Sequence, residues 1–445
     1  MSKTRTEKDS LGKLQLPADA YFGVNAARAQ ENFQISGQSA PQFFIKALGM
    51  VKLAAAETNS SLKLIDKKVQ KPLVKACKEF LAGNFTSQFT VDVYQAGAGT
   101  SYNMNANEII ANRANELLKK PKGSYAPLHP NNHVNMGQST NDVIPTASRL
   151  AVLLALPDLL AQLKGTINAL STISKKYSKL EKVGRTHLQD AVPITLGQEF
   201  DSYKEALEKS RDEIEHQAKN LTVLGIGGTA VGTGLNAHPK YRTMMVKNLS
   251  KQLGKKLSSA KNLTEIANNM NAFMNFSAAL RSLATNLLNL CLDLKLMGSG
   301  PKAGLAELTL PPVQAGSSIM PGKINPSIPE AVEMVALQVL GNDQTIALAC
   351  QRSNFELNVY CPLIMLNLLH SMQILTGGLK TLTIKCLKGL QVNVDHIQKT
   401  FDNSLATATA LAPKLGYDLT ADIVKSALKH GRTIKEELKK RQIKA

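Results

Sequence analysis

Residues Leu263 to Met297 read LTEIANNMNAFMNFSAALRSLATNLLNLCLDLKLM. Within this stretch Ile266, Met270, Phe273, Phe276, Leu280, Leu283, Leu287, Leu290 and Leu294 recur at steps of three and four, the period of one face of an α-helix. A helix over the whole span is about 50 Å long at ~1.5 Å per residue, beyond ordinary globular length, and its apolar stripe reads as the seam of a helical bundle. Helical periodicity also covers Pro72–Leu81, Asn105–Leu118, Thr146–Tyr177, Leu196–Leu221, Lys240–Leu253, Ile328–Ala349 and Leu357–Thr376. Between Tyr203 and Leu221, Ala206, Leu207 and Ile214 form the apolar stripe, while Glu205 with Lys209 and Glu215 with Lys219 stand at i,i+4 spacing. Alternating strand patterns are nearly absent, so the fold class is all-α. A long central helical bundle is expected over 139–392, between smaller helical domains at 1–138 and 393–445. Rods this slim leave a wide apolar face in water, which predicts that identical chains cover it.

The composition fits such a core. The 445 residues are 43% hydrophobic but only 5% aromatic, with no Trp, so packing rests on Leu, Ile, Val, Ala and Met. The formal net charge of +19 raises the question of a nucleic-acid or membrane partner. The charge is scattered, at Lys67-Lys68, Lys119–Lys122, Lys175-Lys176, Lys255-Lys256 and Lys439–Arg441, and no basic cluster interleaves with aromatics. It reads as a solvated surface that also attracts dianionic substrates, with neither nucleic acid nor membrane as partner. The five cysteines are widely spaced and have no metal-ligand spacing, which fits buried thiols in a reducing compartment. The N-terminal residues lack the apolar core of a signal peptide. The longest apolar run, Leu150–Leu163, is interrupted by Pro157 and Asp158 and is short for a bilayer. A cytoplasmic protein is expected.

Glycine-rich polar segments punctuate the helices and are expected to cluster at rod ends. Gln95–Asn105 (QAGAGTSYNMN) leads into a helix, and its N–H groups and hydroxyls suit an anion or, equally, a simple helix cap. His129–Asn135 and Gln138–Asp142 crowd amides and hydroxyls before a long helix, fitting either a donor array or a capped terminus. His129 and His133 have i,i+4 spacing, but Pro130 argues against the helix that would make them metal ligands. Gly184–Ala191 (GRTHLQDA) surrounds His187 with polar partners. Gly227–Asn236 is glycine-rich without a preceding strand, so tight helix packing is the better reading than a phosphate cradle. Near the end, Gly431 suits a helix stop, and Thr433 with Glu436 forms a capping box.

The remaining segment, Gly316–Pro326 (GSSIMPGKINP), sets two hydroxyls, a cation and an amide between glycines and prolines, a constrained loop. With the other polar segments in this order, it resembles the mobile catalytic loop of the aspartase/fumarase superfamily, specifically aspartate ammonia-lyases and class II fumarases. The resemblance runs from about Glu7 to Lys429, and members often continue beyond the position of Ala445. It implies a homotetramer with a multi-helix core and active sites shared between chains, and no metal or organic cofactor. The implied reaction is reversible anti elimination giving fumarate through an aci-carboxylate. By the same resemblance Ser317 is the base, and Thr100, Ser139, Thr140 and Ser318 donate to the carboxylate that becomes dianionic. Lys323 and Asn325, with Thr186 beside them, bind the other carboxylate. Ser101 and Met320 belong to the substrate-binding set, His187 and Asn141 face the leaving group, and Glu330 orients the His187 ring. The wording GAGTSYNMNANE favours L-aspartate as substrate and ammonia as leaving group, since fumarases usually place Gln at the position of Ser101. Hydration of fumarate to L-malate is the alternative, favoured by Gly227–Val231 and Asn354–Val359. A non-catalytic scaffold of the same fold is the remote one.

Overall fold

The protein is described by a computed structural model over residues 3–316 and 318–443. In chain order the helices are α1 (Val24–Asn32), α2 (Gln42–Ser61), α3 (Lys67–Leu81), α4 (Thr100–Leu117), α5 (Thr140–Lys176), α6 (Leu196–Asn220), α7 (Tyr241–Leu253), α8 (Leu263–Asn268), α9 (Asn271–Met297), α10 (Ser327–Cys350), α11 (Cys361–Lys385), α12 (Val394–Asn403), α13 (Ala412–Leu415), α14 (Tyr417–His430) and α15 (Ile434–Lys440). Strands are few and come in pairs: β1 (Thr4–Asp9) with β2 (Gly12–Pro17), β3 (Glu181–Thr186) with β4 (Gln189–Thr195), β5 (Val223–Leu224) with β6 (Ser258–Ser259), and β7 (Leu308–Thr309) with β8 (Gln391–Val392). The architecture is helical, as the sequence pattern predicts.

Two compact units divide the chain. The first takes Met1–Leu159, Asp212–Arg281 and Gln338–Ile374; the second takes Leu160–Arg211, Ser282–Leu337 and Leu375–Ala445. In the first unit α2 packs against α3, α4 and α7, and the β1–β2 hairpin packs against α1. The α2 side chains Phe44, Ala47, Leu48, Val51, Ala54 and Ala55 are all buried. Tyr102 of α4 lies against Phe44 and Phe89. Bundle contacts here run from Ser148 of α5 to Cys361 of α11 at 3.5 Å, and from Ser277 of α9 to Asp343 of α10 at 2.6 Å.

The second unit holds its own stretch of bundle. Thr166 of α5 meets Thr383 of α11 at 2.8 Å, Asn286 of α9 donates to Ser210 of α6 at 2.9 Å, and Lys295 pairs with Glu333 of α10 at 2.7 Å. The seam is dry: Leu283, Leu287, Leu290 and Leu294 are buried. At the C-terminus Ile423, Ala427 and Ile434 pack with Ala408 and Leu411. Gly431 ends α14 in the left-handed region, and Thr433 and Glu436 form both bonds of the capping box.

Several expectations change. The Leu263–Met297 rod is two helices, because Asn269 is extended and its side chain accepts from Asn271 N at 2.8 Å, capping α9 anew. α2, α3 and α5 begin or lie where the sequence stripe gave no start, and α3 and α5 run through Pro72, Pro145 and Pro157. As a result α5 is long and apolar enough to cross a membrane by length and composition, with mean hydropathy 1.6, yet 78% of that window is buried inside the protein. Gly184–Gly197 is not a plain rod connector: most of it folds as the β3–β4 hairpin.

Candidate active site

The first unit presents the starts of α4 and α5. Ala98 and Gly99 take positive φ (61° and 81°) ahead of Thr100, and Ala98 N donates to Val359 O at 2.7 Å. Glycine suits position 99 because φ is +81° and a Cβ there would crowd the Ile144 side chain at 3.1 Å. This sharp entry leaves Thr100 exposed at the first turn of α4, while Ser101 turns inward and is buried. At the start of α5, Ser139 Oγ accepts from Asn141 N at 3.2 Å, and Asp142 Oδ1 accepts from Ser139 N at 3.0 Å. The segment is a capped helix start, one of the two readings its sequence allows. The two starts are joined: Asn103 of α4 donates to Thr140 Oγ1 at 3.4 Å. A helix N-terminus carries partial positive charge, so hydroxyls displayed there suit a carboxylate.

Two buried charges hold this array. Lys52, in the apolar run GMVKLAAA, is fully buried. Its Nζ donates to Asn103 Oδ1 (2.6 Å), Gln138 Oε1 (2.9 Å) and Asn135 Oδ1 (3.3 Å), using all three N–H bonds on carbonyl oxygens. Burial pulls the ammonium down to about 7, opposed by the negative charge of Asp142 and the Cys77 sulfur. Asp142 Oδ2 also accepts from Gly227 N at 2.9 Å and Thr229 N at 3.0 Å. Burial pushes its carboxyl up to about 6, against those three N–H groups and the Lys52 ammonium.

The Gly227–Asn236 loop does serve packing. A Cβ on Gly232 would fall on the Thr264 backbone, and one on Gly227 would lie 2.9 Å from the Arg242 side chain. Asn141 Nδ2 donates to Ala230 O of this loop at 2.8 Å. The His129–Val134 segment differs from expectation in one respect. Pro130 opens a π-helical turn rather than preventing one, which is allowed because the first-turn N–H has no helical partner. His129 Nδ1 caps that turn by accepting from Asn131 N at 3.1 Å, and His133 Nδ1 accepts from His129 N at 2.9 Å.

The second unit carries the other predicted residues. Thr186 ends β3, and His187 with Leu188 forms the two-residue turn, at φ 56° and 59°. Left-handed backbone at two non-glycine residues is strained, and such strain persists only where the surroundings enforce it. His187 and Leu188 are exposed. In the Gly316–Pro326 loop, Ser317 lies outside the described residues. A Cβ on Gly316 would fall on the Lys323 carbonyl, so the loop base closes only with glycine there. Met320-Pro321-Gly322-Lys323 is a turn, with Lys323 N donating to Met320 O at 3.3 Å and Gly322 at φ 82°. Ser318, Met320 and Lys323 are exposed and Asn325 is half-buried. Glu330 lies exposed in the first turn of α10. Among the described residues of one chain, no hydrogen bond or ion pair joins His187 to Glu330.

Exposed polar loops on helical rods, with an SSxMPxKxN loop, fit a lyase, and the comparisons agree. The chain matches the family described as Lyase over residues 12–341 and the Fumarase C C-terminus over 408–444, and it belongs to this aspartase/fumarase superfamily. An aspartate ammonia-lyase of Bacillus sp is 45% identical over 97% of this chain and 92% of its own length. A class II fumarate hydratase of Bradyrhizobium diazoefficiens is 42% identical over 98% of this chain and 92% of its own. The crystal structure of a Brucella melitensis protein titled fumarate lyase:delta crystallin, bound to cobalt, superposes with a TM-score of 0.97 at 44% identity, covering 100% of this chain and 97% of that one.

Proposed function

We propose that this lyase removes ammonia from L-aspartate to give fumarate. In this reading Ser317, as an oxyanion, takes the proton from the carbon next to the side-chain carboxylate, whose charge grows to that of an aci-carboxylate. Thr100, Ser139, Thr140 and Ser318 donate to it, and such preorganised donors are worth several kcal/mol, about the size of the largest catalytic terms. Lys323 and Asn325, with Thr186, hold the other carboxylate, within a set that includes Ser101 and Met320. The carbon–nitrogen bond then breaks with its electron pair going to nitrogen, and the ammonium departs as neutral ammonia past Asn141 and His187. Glu330, from another chain, orients the His187 ring. No cofactor is assigned a step.

The observation that carries the choice of leaving group is the polarity of Asn141. One N–H of its amide nitrogen is bonded to Ala230 O, which orients the amide and lets its oxygen accept from an ammonium. Hydroxide, by contrast, needs a proton delivered as it leaves. The motif at Gly97–Ser101 supports the same choice. Hydration of fumarate to L-malate is the second reading, favoured by the fumarate hydratase relative and by Gly227–Val231. The homotetramer with shared sites is supported by large exposed apolar side chains on the rods: Leu292, Leu296, Met334, Leu337 and Leu348. The test runs the reaction backwards, offering fumarate with ammonium. Aspartate as the product supports the proposal, and malate alone refutes it.

A further inference from the structure

A cluster of four charges in the second unit, Lys182 and Glu307 buried and Arg185 and Glu199 partly so, includes the strand that leads to Thr186 and His187. Glu307 is 1% exposed and stands immediately before β7, on the stem of the Gly316–Pro326 loop. Arg185 Nη1 lies 2.8 Å from its Oε1. Lys182 Nζ lies 2.9 Å from its Oε2 without the alignment of a hydrogen bond, so that contact is an ion pair. Lys182, itself 1% exposed, donates its hydrogen bond to Glu199 Oε2 of α6 at 2.6 Å. Burial pushes the Glu199 carboxyl above its ordinary range, opposed by the Lys182 ammonium.

The placement of the two cations matters more than their number. Both are on β3, and the β3–β4 register breaks between them: Val183 pairs with Pro193, but Arg185 pairs with Asp190. Gly184 alone therefore faces two residues of β4, a bulge, and a Cβ there would be driven into Val192 O. One residue of slip in this hairpin would turn each side chain to the other face. In a flat strand residues 182 and 185 face opposite ways. The added twist of a bulge lets both approach one carboxylate.

The Glu307 main chain is fixed in turn. Its carbonyl accepts from Asn393 N at 2.9 Å, and β7 pairs with β8. Asn393 Nδ2 donates to Ala306 O at 2.6 Å, and His396 Nε2 lies 2.9 Å from Leu305 O. Beyond the bulge, Arg185 is followed directly by Thr186 and the strained His187-Leu188 turn. Val183, packed on Phe401 and Ala406, secures only the near side.

We infer that Glu307 is a positioning residue: one carboxylate on the stem of the Gly316–Pro326 loop grips β3 on both sides of the point where the β4 bulge faces Gly184, and so sets the register of Thr186 and His187. The inference rests on the elimination reading only for what those two residues do. Its structural half, that the loop stem locks the hairpin, stands independently.

The test uses the full-length protein with Glu307→Gln and, separately, Arg185→Met, which removes only the far grip and is less buried. Three quantities are read: amide hydrogen exchange by peptide, melting temperature, and kcat and KM. Both variants should exchange faster in the peptide spanning 181–195 at temperatures well below melting. The peptide spanning 130–142 should exchange as in the wild type. A misplacement of about 1 Å costs about 10²-fold in rate, so kcat should fall by about that factor in Glu307→Gln and by about tenfold in Arg185→Met, with KM moving less. Wild-type exchange across 181–195 in a folded variant overturns the inference, as does exchange rising equally everywhere. If Glu307→Gln fails to fold, Arg185→Met decides. Should the wild type release no fumarate from any substrate, the elimination reading fails while the exchange comparison still judges the lock.

Discussion

Asp142→Asn separates stability from positioning, because the two effects oppose each other there. The carboxylate accepts three backbone N–H groups, from Ser139, Gly227 and Thr229, at 3.0, 2.9 and 3.0 Å. An asparagine that keeps its oxygen towards Gly227 and Thr229 must turn its NH2 onto the Ser139 N–H. One bond is lost and two become neutral, a loss of about 3–4 kcal/mol when charge-assisted bonds are worth ~1.5–3 kcal/mol each. The wild type carries an opposing cost. Its carboxyl is raised from 3.8 to about 6, so keeping it ionised above that pH costs about 3 kcal/mol at ~1.4 kcal/mol per pH unit.

The sign follows from the raised value. The folded state binds more protons than the unfolded chain between pH 3.8 and about 6, so this group's contribution is fullest below that window and is lost as pH rises through it. Asparagine has no such loss. The net change in stability near neutral pH is therefore small, about 1 kcal/mol, and the variant should gain on the wild type by about 1 kcal/mol between pH 5 and pH 8. Positioning suffers more. The Ser139 cap loses its anchor and the loop that holds Asn141 through Ala230 is held by two weaker, neutral bonds, and kcat/KM should fall by about 10²-fold. Calorimetry at the two pH values and the ultraviolet absorbance of fumarate measure the two parts. A variant with kcat/KM within threefold of wild type, or a stability gap that does not move with pH, refutes the reasoning.

Lys52→Met should raise KM for the dicarboxylate by about tenfold, since Asn103 loses the donor that fixes its amide against Thr140 and a neutral bond of this kind is worth about 1 kcal/mol or more. Lys52 falls from 10.5 to about 7 on folding, so the unfolded chain holds the extra proton between those values and wild-type stability rises with pH across that window; pH-dependent melting of Lys52→Met should lack this rise. Inactive Ser317→Ala and His187→Ala proteins, dissociated together and reassembled, should regain part of the activity if sites are shared between chains, whereas strict inactivity or a monomer by light scattering contradicts the sharing.

The rods were legible because a stripe at helical period survives in the sequence wherever a helix has one wet face. α6, α7 and α10 fall within about a residue of the stripes that announce them, which is the ordinary precision of helix ends. α2 was not legible, because it is buried nearly all round and so shows no stripe: Ala47, Met50 and Ala54 are as dry as Phe44, Leu48 and Val51. The β3–β4 hairpin hides for another reason. Its turn is His187-Leu188 rather than the Asn-Gly or Asp-Gly pair that marks such turns, and its strands lack alternation. The break at Asn269 depends on one side chain choosing to cap, which periodicity does not register.

The candidate site divides along the same line. Its polar segments are visible as unusual clusters of hydroxyls and amides between apolar rods. The residues that hold them are visible only once the chain is folded. Lys52 meets Gln138, and Asp142 meets Gly227, across 86 and 85 residues of sequence. A lone lysine in an apolar helix was nonetheless a signal, since such a charge stays buried only when its donors are matched.

The central claim is the leaving group, and the most direct measurement is kcat/KM of the wild-type protein for L-aspartate and L-malate side by side, with fumarate and ammonia both quantified. The proposal predicts fumarate from aspartate with one equivalent of ammonia, and little or no fumarate from malate. Efficient fumarate formation from malate, with no ammonia released from aspartate, would contradict it and assign the protein to fumarate hydration.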